Sequence, residues 1–139
     1  MRRNVIRCLF ALILLPSFAP AFAEDFVIIV NKENADPVDH DFAAKVYKGE
    51  TKSWPSGGNV TAVALPEESP VRIAFDKAIL GKAPAQSKAL WAQLTFSGKA
   101  LPPKMVESEA DAVKEVVENK HAIGYVSAGA AGASVKVVK

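Results

Sequence analysis

Val60-Thr61-Ala62-Val63-Ala64-Leu65-Pro66-Glu67-Glu68-Ser69-Pro70-Val71-Arg72 reads as a strand running into a helix. Val60 to Leu65 alternates Val with Thr and Ala and holds no Gly or Pro, which predicts a strand. Pro66 to Pro70 is a loop that ends at a helix start. Ser69 is the natural N-cap, and Pro70 suits the first turn because the missing N–H is not needed there. Val71, Phe75 and Ile79 follow at i, i+4 and i+8, and Gly81 supplies the stop. Such a junction turns free backbone N–H groups and the positive end of a helix dipole toward whatever lies above it. In open α/β sheets, ligands gather at the carboxyl ends of the strands for this reason.

Outward from the junction the same alternation continues. Upstream, Phe26 to Val30 is a continuous β-branched run, predicted as a strand buried on both faces. After a polar loop from Asn31 to Asp39, Asp39 or Asp41 caps a helix with Phe42, Val46 and Tyr47 at helical spacing, and Gly49 stops it. Downstream, a helix is predicted from Pro84 to Phe96, with Leu90, Trp91 and Leu94 as its apolar stripe. Lys104 to Val106 is a short strand. Ser108 and Glu109 open a helix with Val113, Val116 and Val117 inward. Ile123 to Val126 is a further strand, Gly129 to Ala133 a small-residue connection, and Val135 to Val138 a last apolar segment. The class is therefore α/β with a mainly parallel or mixed sheet.

Of the 139 residues, the first 23 have the form of a secretory signal peptide. Arg2, Arg3 and Arg7 lead an apolar run from Cys8 to Leu15, and Ala21-Phe22-Ala23 has the small-x-small pattern of a cleavage site. The run is too short for a membrane anchor, which needs about 20 residues. Residues 24–139 are then a single domain in the periplasm. The chain carries 17 basic and 15 acidic residues, and loss of the three arginines leaves an excess of one acid. A basic footprint for nucleic acid or anionic lipid is missing from such a domain. Cys8 is the one cysteine and leaves with the signal, which removes disulfide and thiolate chemistry.

Few side chains are arranged for catalysis. Of the two histidines, His40 stands among Asp36, Asp39 and Asp41, where the acids are better read as helix caps than as metal ligands. His121 precedes a strand as a loop residue. Glu67 and Glu68 are adjacent in a loop, which splays them apart and argues against a shared acid–base site. Ser69 has no nucleophile-elbow context and no histidine tied to it. No catalytic residue, metal or cofactor is predicted, and the chain is read as a non-enzyme.

Val46-Tyr47-Lys48-Gly49-Glu50 followed by Trp54 is similar to the I-F-x-G-x-x-x-x-W signature of phosphate-type periplasmic substrate-binding proteins of ABC transporters. The likeness continues through the strand–loop–helix junction and Phe75 to Gly81. It resumes at Ala122-Ile123-Gly124-Tyr125-Val126, close to the family's A-I-G-Y-V segment. The resemblance implies a type II binding-protein fold, in which two α/β lobes close over an oxyanion, and this chain resembles the second lobe only. It implies a solute-binding role, with a small phosphate-like oxyanion as ligand at the helix start near Ser69.

The junction departs from the family pattern in ways that weaken such a site. Where the family carries a Ser-Gly-Thr triplet, this chain has Ser69-Pro70-Val71; its arginine position holds Leu65 or Pro66. Ser69, Val71 and Arg72 are the candidate anion-binding residues, with Arg72 contributing only if its side chain folds back over the helix start. Losing three charge-assisted donors costs roughly 4–9 kcal/mol, against the ~8 kcal/mol of a micromolar site. The alternative is a ligand-free interaction module for a membrane sensor, a transporter or a second copy in a homodimer. Trp54 and Trp91 are predicted as packing residues.

Overall fold

The computed structural model describes residues 26–138; the predicted signal peptide and Cys8 lie outside them. Strand β1 (Phe26–Asn31) leads to α1 (His40–Tyr47), then β2 (Thr61–Ala64) and α2 (Pro70–Phe75), which continues into a π-helical turn, Asp76–Leu80. Next come α3 (Pro84–Phe96), β3 (Lys104–Met105), α4 (Glu109–Glu118), β4 (Ala122–Ser127), α5 (Ala128–Ala131) and β5 (Val135–Val138). The sheet order is β3-β2-β4-β1-β5. β2 runs parallel to both β3 and β4, whereas β1 lies antiparallel between β4 and β5. The sheet is thus mixed, within the expected α/β class.

Two neighbouring residues of β4 show why the fold has three layers. Tyr125 points to one face, where its ring meets Tyr47 of α1 and Phe75 of α2. Gly124 points to the other, and a Cβ there would come within 3.3 Å of Val116 on α4. The side chain is absent where α4 presses on the sheet. Between these layers Ile28, Ile29, Ile123 and Val126 are fully buried, as the β-branched runs require.

Local signals set the element ends. Asp39 accepts from the Phe42 N–H at 2.7 Å and Ser108 from the Asp111 N–H at 3.1 Å, each capping a helix. Gly49 and Gly81 take φ of +75° and +63°, the left-handed stops that the sequence predicts.

Three expectations need correction. Val117 is 43% exposed, and Ala112 lies in the core with Val116. Residues advance by about 100° around a helix, so burying Ala112 and Val116 carries Val117 to the rim. Leu90, Trp91 and Leu94 are only half-buried, and Ser87 is the one buried residue of α3. This helix lies over the β2–β3 edge, where β3 is two residues long and offers little sheet to cover. The connection predicted at Gly129–Ala133 holds part of a helical turn, α5.

Candidate functional site

The junction takes the predicted form, and its donors can be counted. Pro70 has no N–H. The Arg72 N–H is held by Ser69 Oγ at 3.4 Å and the Ile73 N–H by the Ser69 carbonyl at 3.0 Å. A helix's first N–H groups have no partner within the helix, so the Val71 amide is the one left over. Val71 is 2% exposed as a whole residue, so its side chain touches no solute and little of its backbone reaches the surface. Ser69 Oγ already accepts a hydrogen bond and keeps its own proton to donate. Two donors therefore remain at the helix start, the Ser69 hydroxyl and the Val71 N–H, and Ser69 is the more exposed residue of the two.

Arg72 does not fold back over the helix start. It is 6% exposed and extends along α2, where Nε donates to Asp76 Oδ2 at 3.3 Å. Nη1 donates to the Leu65 carbonyl at 2.9 Å and Nη2 to Ser87 Oγ at 3.3 Å. Ser87 Oγ lies 2.7 Å from Asp76 Oδ2, which closes the cluster. The Arg72 guanidinium, two residues after Pro70, is pulled inward because Asp76 stands at i+4 on the same face. Sequence reasoning missed Asp76 and Ser87; the Arg72–Asp76 spacing was the signal for the first. Beside this cluster Glu67 pairs with Lys88 of α3 at 3.0 Å, so the loop carboxylate has a cation of its own.

The aromatic floor is also polar at its edges. The Tyr47 hydroxyl donates to the Val63 carbonyl at 2.6 Å, with the Ile123 carbonyl at 3.1 Å. The Tyr125 hydroxyl accepts from the Leu65 N–H at 3.1 Å. Burial pushes both phenols well above their ordinary range; at Tyr47 the neighbouring Tyr125 adds to it, and at Tyr125 Asp76 does. These rings hold the carboxyl end of β2 in place.

Elsewhere, the acids around His40 have structural duties. Asp39 caps α1, and Asp36 accepts from the Ser56 N–H and hydroxyl at 2.9 and 2.7 Å. Among the described residues no three His, Cys, Asp or Glu side chains are grouped to hold a metal, and no helix is long and apolar enough to cross a membrane. Trp54 packs as predicted: it stacks on Phe42 with centroids 5.2 Å apart and donates to the His121 carbonyl at 3.1 Å. Trp91 instead forms the wall of a cavity beneath α3.

The fold is that of solved phosphate-binding proteins. It matches a phosphate ABC transporter substrate-binding protein with bound phosphate from Clostridium perfringens, described as putative, at 20% identity and a TM-score of 0.66. An ABC-type phosphate transport receptor from Vibrio cholerae matches at 19% and 0.62, and PstS from Borrelia burgdorferi at 15% and 0.62. Each match covers 84% of this chain but only 46% of the Vibrio protein, 44% of the Clostridium protein and 47% of the Borrelia protein. The chain thus spans less than half the length of these relatives, the extent of one lobe. No curated protein sequence matches it. Residues 18–137 match the PBP superfamily domain, and with the mixed sheet and helix junction described above this chain belongs to that family of periplasmic-binding-protein-like domains.

Proposed function

We propose that the protein works outside the cytoplasm as a single solute-binding-like lobe, exported by its first 23 residues, with a small oxyanion held weakly above Ser69. The family is one of binding domains rather than enzymes, and the solved relatives are proteins of phosphate transport and binding. The observation that carries the reading is the pair of donors, the Ser69 hydroxyl and Val71 N–H, at the carboxyl end of β2. Two charge-assisted hydrogen bonds contribute about 3–6 kcal/mol. A millimolar site needs about 4 kcal/mol and a micromolar one about 8. An oxyanion held by this lobe alone is therefore expected at millimolar strength, and a partner body that supplies opposing donors raises it. Calorimetric titration of the purified protein with phosphate and then sulfate at low salt tests this, with Ser69→Ala as the control. Weak heat lost in the variant supports the reading, whereas no heat up to high millimolar phosphate overturns it.

A second reading rests on Arg72. Its charge is taken up by Asp76, and Pro70 removes an amide, so the strand-end surface has lost the groups that grip an anion. On this reading the lobe is an interaction module that docks on a transporter, a membrane sensor or a second copy. Pull-down from the membrane fraction, together with sedimentation of the free protein, separates these partners.

A further inference from the structure

The underside of α3 carries a second candidate site, separate from the helix start at Ser69. Between α3 and the β2–β3 edge lies a cavity of about 640 Å³, within the ~300–1,000 Å³ of pockets that take drug-sized molecules. Trp91, Phe96, Pro102, Pro103 and Met105 supply apolar walls, and the rings of Tyr47 and Tyr125 reach its floor. Phe96 is 96% exposed and Met105 54%, an arrangement that leaves large apolar surface in water unless something fills the space. Trp91 also lines a smaller cavity of about 240 Å³, walled otherwise by β2, the connection before it and the Ala100–Pro102 segment. The arm from Pro84 to Pro103 is thus an arch over unfilled space.

The polar part of the cavity defines what fits. Arg72 lines the floor and is buried. Its Nη1 carries two protons: one goes to the Leu65 carbonyl, and the other has only the Met105 thioether, at 4.0 Å. A thioether is a weak acceptor, so this proton would gain from an oxygen in its place. Asp76 already neutralises the guanidinium and Glu67 already pairs with Lys88 at the rim. The cavity therefore presents a hydrogen-bond donor without a free positive charge. We infer that this cavity binds an uncharged, largely apolar small molecule bearing one carbonyl-type acceptor, which replaces the Met105 sulfur on Arg72 Nη1. An anion of the same shape finds no uncompensated cation and must shed its hydration.

The inference does not rest on the oxyanion reading, and its test uses different probes. The purified protein, labelled at the methionine methyls, is titrated with 2-naphthamide and, separately, with 2-naphthoate. Methionine occurs twice in the sequence, and Met105→Leu assigns the Met105 signal. Ala92 lines the cavity from an exposed helical position, so Ala92→Trp fills the space while the fold, checked by circular dichroism, is retained. Saturable shifts of Met105 with submillimolar 2-naphthamide are expected, with 2-naphthoate at least tenfold weaker and binding lost in Ala92→Trp. The inference is overturned by the lack of a saturable shift at millimolar amide, by naphthoate binding equally well, or by unchanged binding in Ala92→Trp. Self-association of the free protein that Ala92→Trp abolishes also overturns it, because a second copy would then fill the arch.

Discussion

The rings of Phe75 and Tyr125 stack with centroids 3.9 Å apart and planes within 4° of parallel. Phe75 stands at the end of α2 and Tyr125 in the middle of β4, so the stack ties the helix of the candidate site to the centre of the sheet. Tyr47 meets both rings edge-on, at 4.8 and 5.8 Å. Aromatic pairs of this kind contribute about 0.5–1.5 kcal/mol beyond the area they bury.

Phe75→Ala is expected to cost about 3–5 kcal/mol, the range for emptying a fully buried aromatic site. Phe75→Leu retains most of the volume and is expected to cost clearly less. Urea unfolding of the two variants measures the difference, and similar midpoints would show that the stack matters little.

Both tyrosines of the sequence lie in this cluster. Their phenols ionise near pH 10.0 in the unfolded chain and higher in the fold, chiefly because burial disfavours the anion. A raised folded value means that the stabilisation is fully present below about pH 10 and is lost progressively as pH rises above it. Tyrosinate absorbance is therefore expected to appear together with loss of the folded circular-dichroism signal. A tyrosine that titrates near its ordinary value in the folded protein would contradict the burial described here.

Asp76→Ala leaves the Arg72 guanidinium buried without its counter-ion, which costs about 3–5 kcal/mol. Replacing both by apolar residues of similar size, Arg72→Met with Asp76→Leu, removes the stranded charge and is expected to be milder than Asp76→Ala. Thermal melts of the single and double variants decide between an ion pair that stabilises and one that is merely compensated.

Ser69→Ala removes an N-cap and is expected to cost about 1 kcal/mol. The cap hydrogen bond at 3.4 Å is long, so a value at the lower end fits the geometry. Ser69→Gly should cost only a few tenths. It removes the same hydroxyl, so loss of phosphate heat in both variants would belong to the ligand and not to destabilisation.

Much of this architecture was legible because single residues mark its boundaries. Ser69 with Pro70, Gly49, Gly81 and Pro84 each announce a helix end through their own backbone chemistry, and the helices start or stop beside them. The fourth strand was legible as Ile123 to Val126, one residue short at each end of Ala122–Ser127. What the sequence hid was depth. Leu90, Trp91 and Leu94 have the spacing of a core-facing stripe, but spacing does not say how much sheet lies opposite, and two-residue β3 supplies little. The inward turn of Arg72 was hidden for a related reason. Its choice between the helix start and Asp76 depends on Ser87, which arrives from α3 through space.

The interior position of β1 bears on when the chain can fold. Val27 pairs with Val126 and Asn31 with Val135, so the first strand's neighbours on both sides come from the last stretch of the sequence. Closing such long loops precedes any gain from the pairing, which slows folding relative to local topologies. Until β4 and β5 emerge, β1 has no partner and the sheet lacks its middle. A chain built this way completes its sheet only when nearly all of its residues are present.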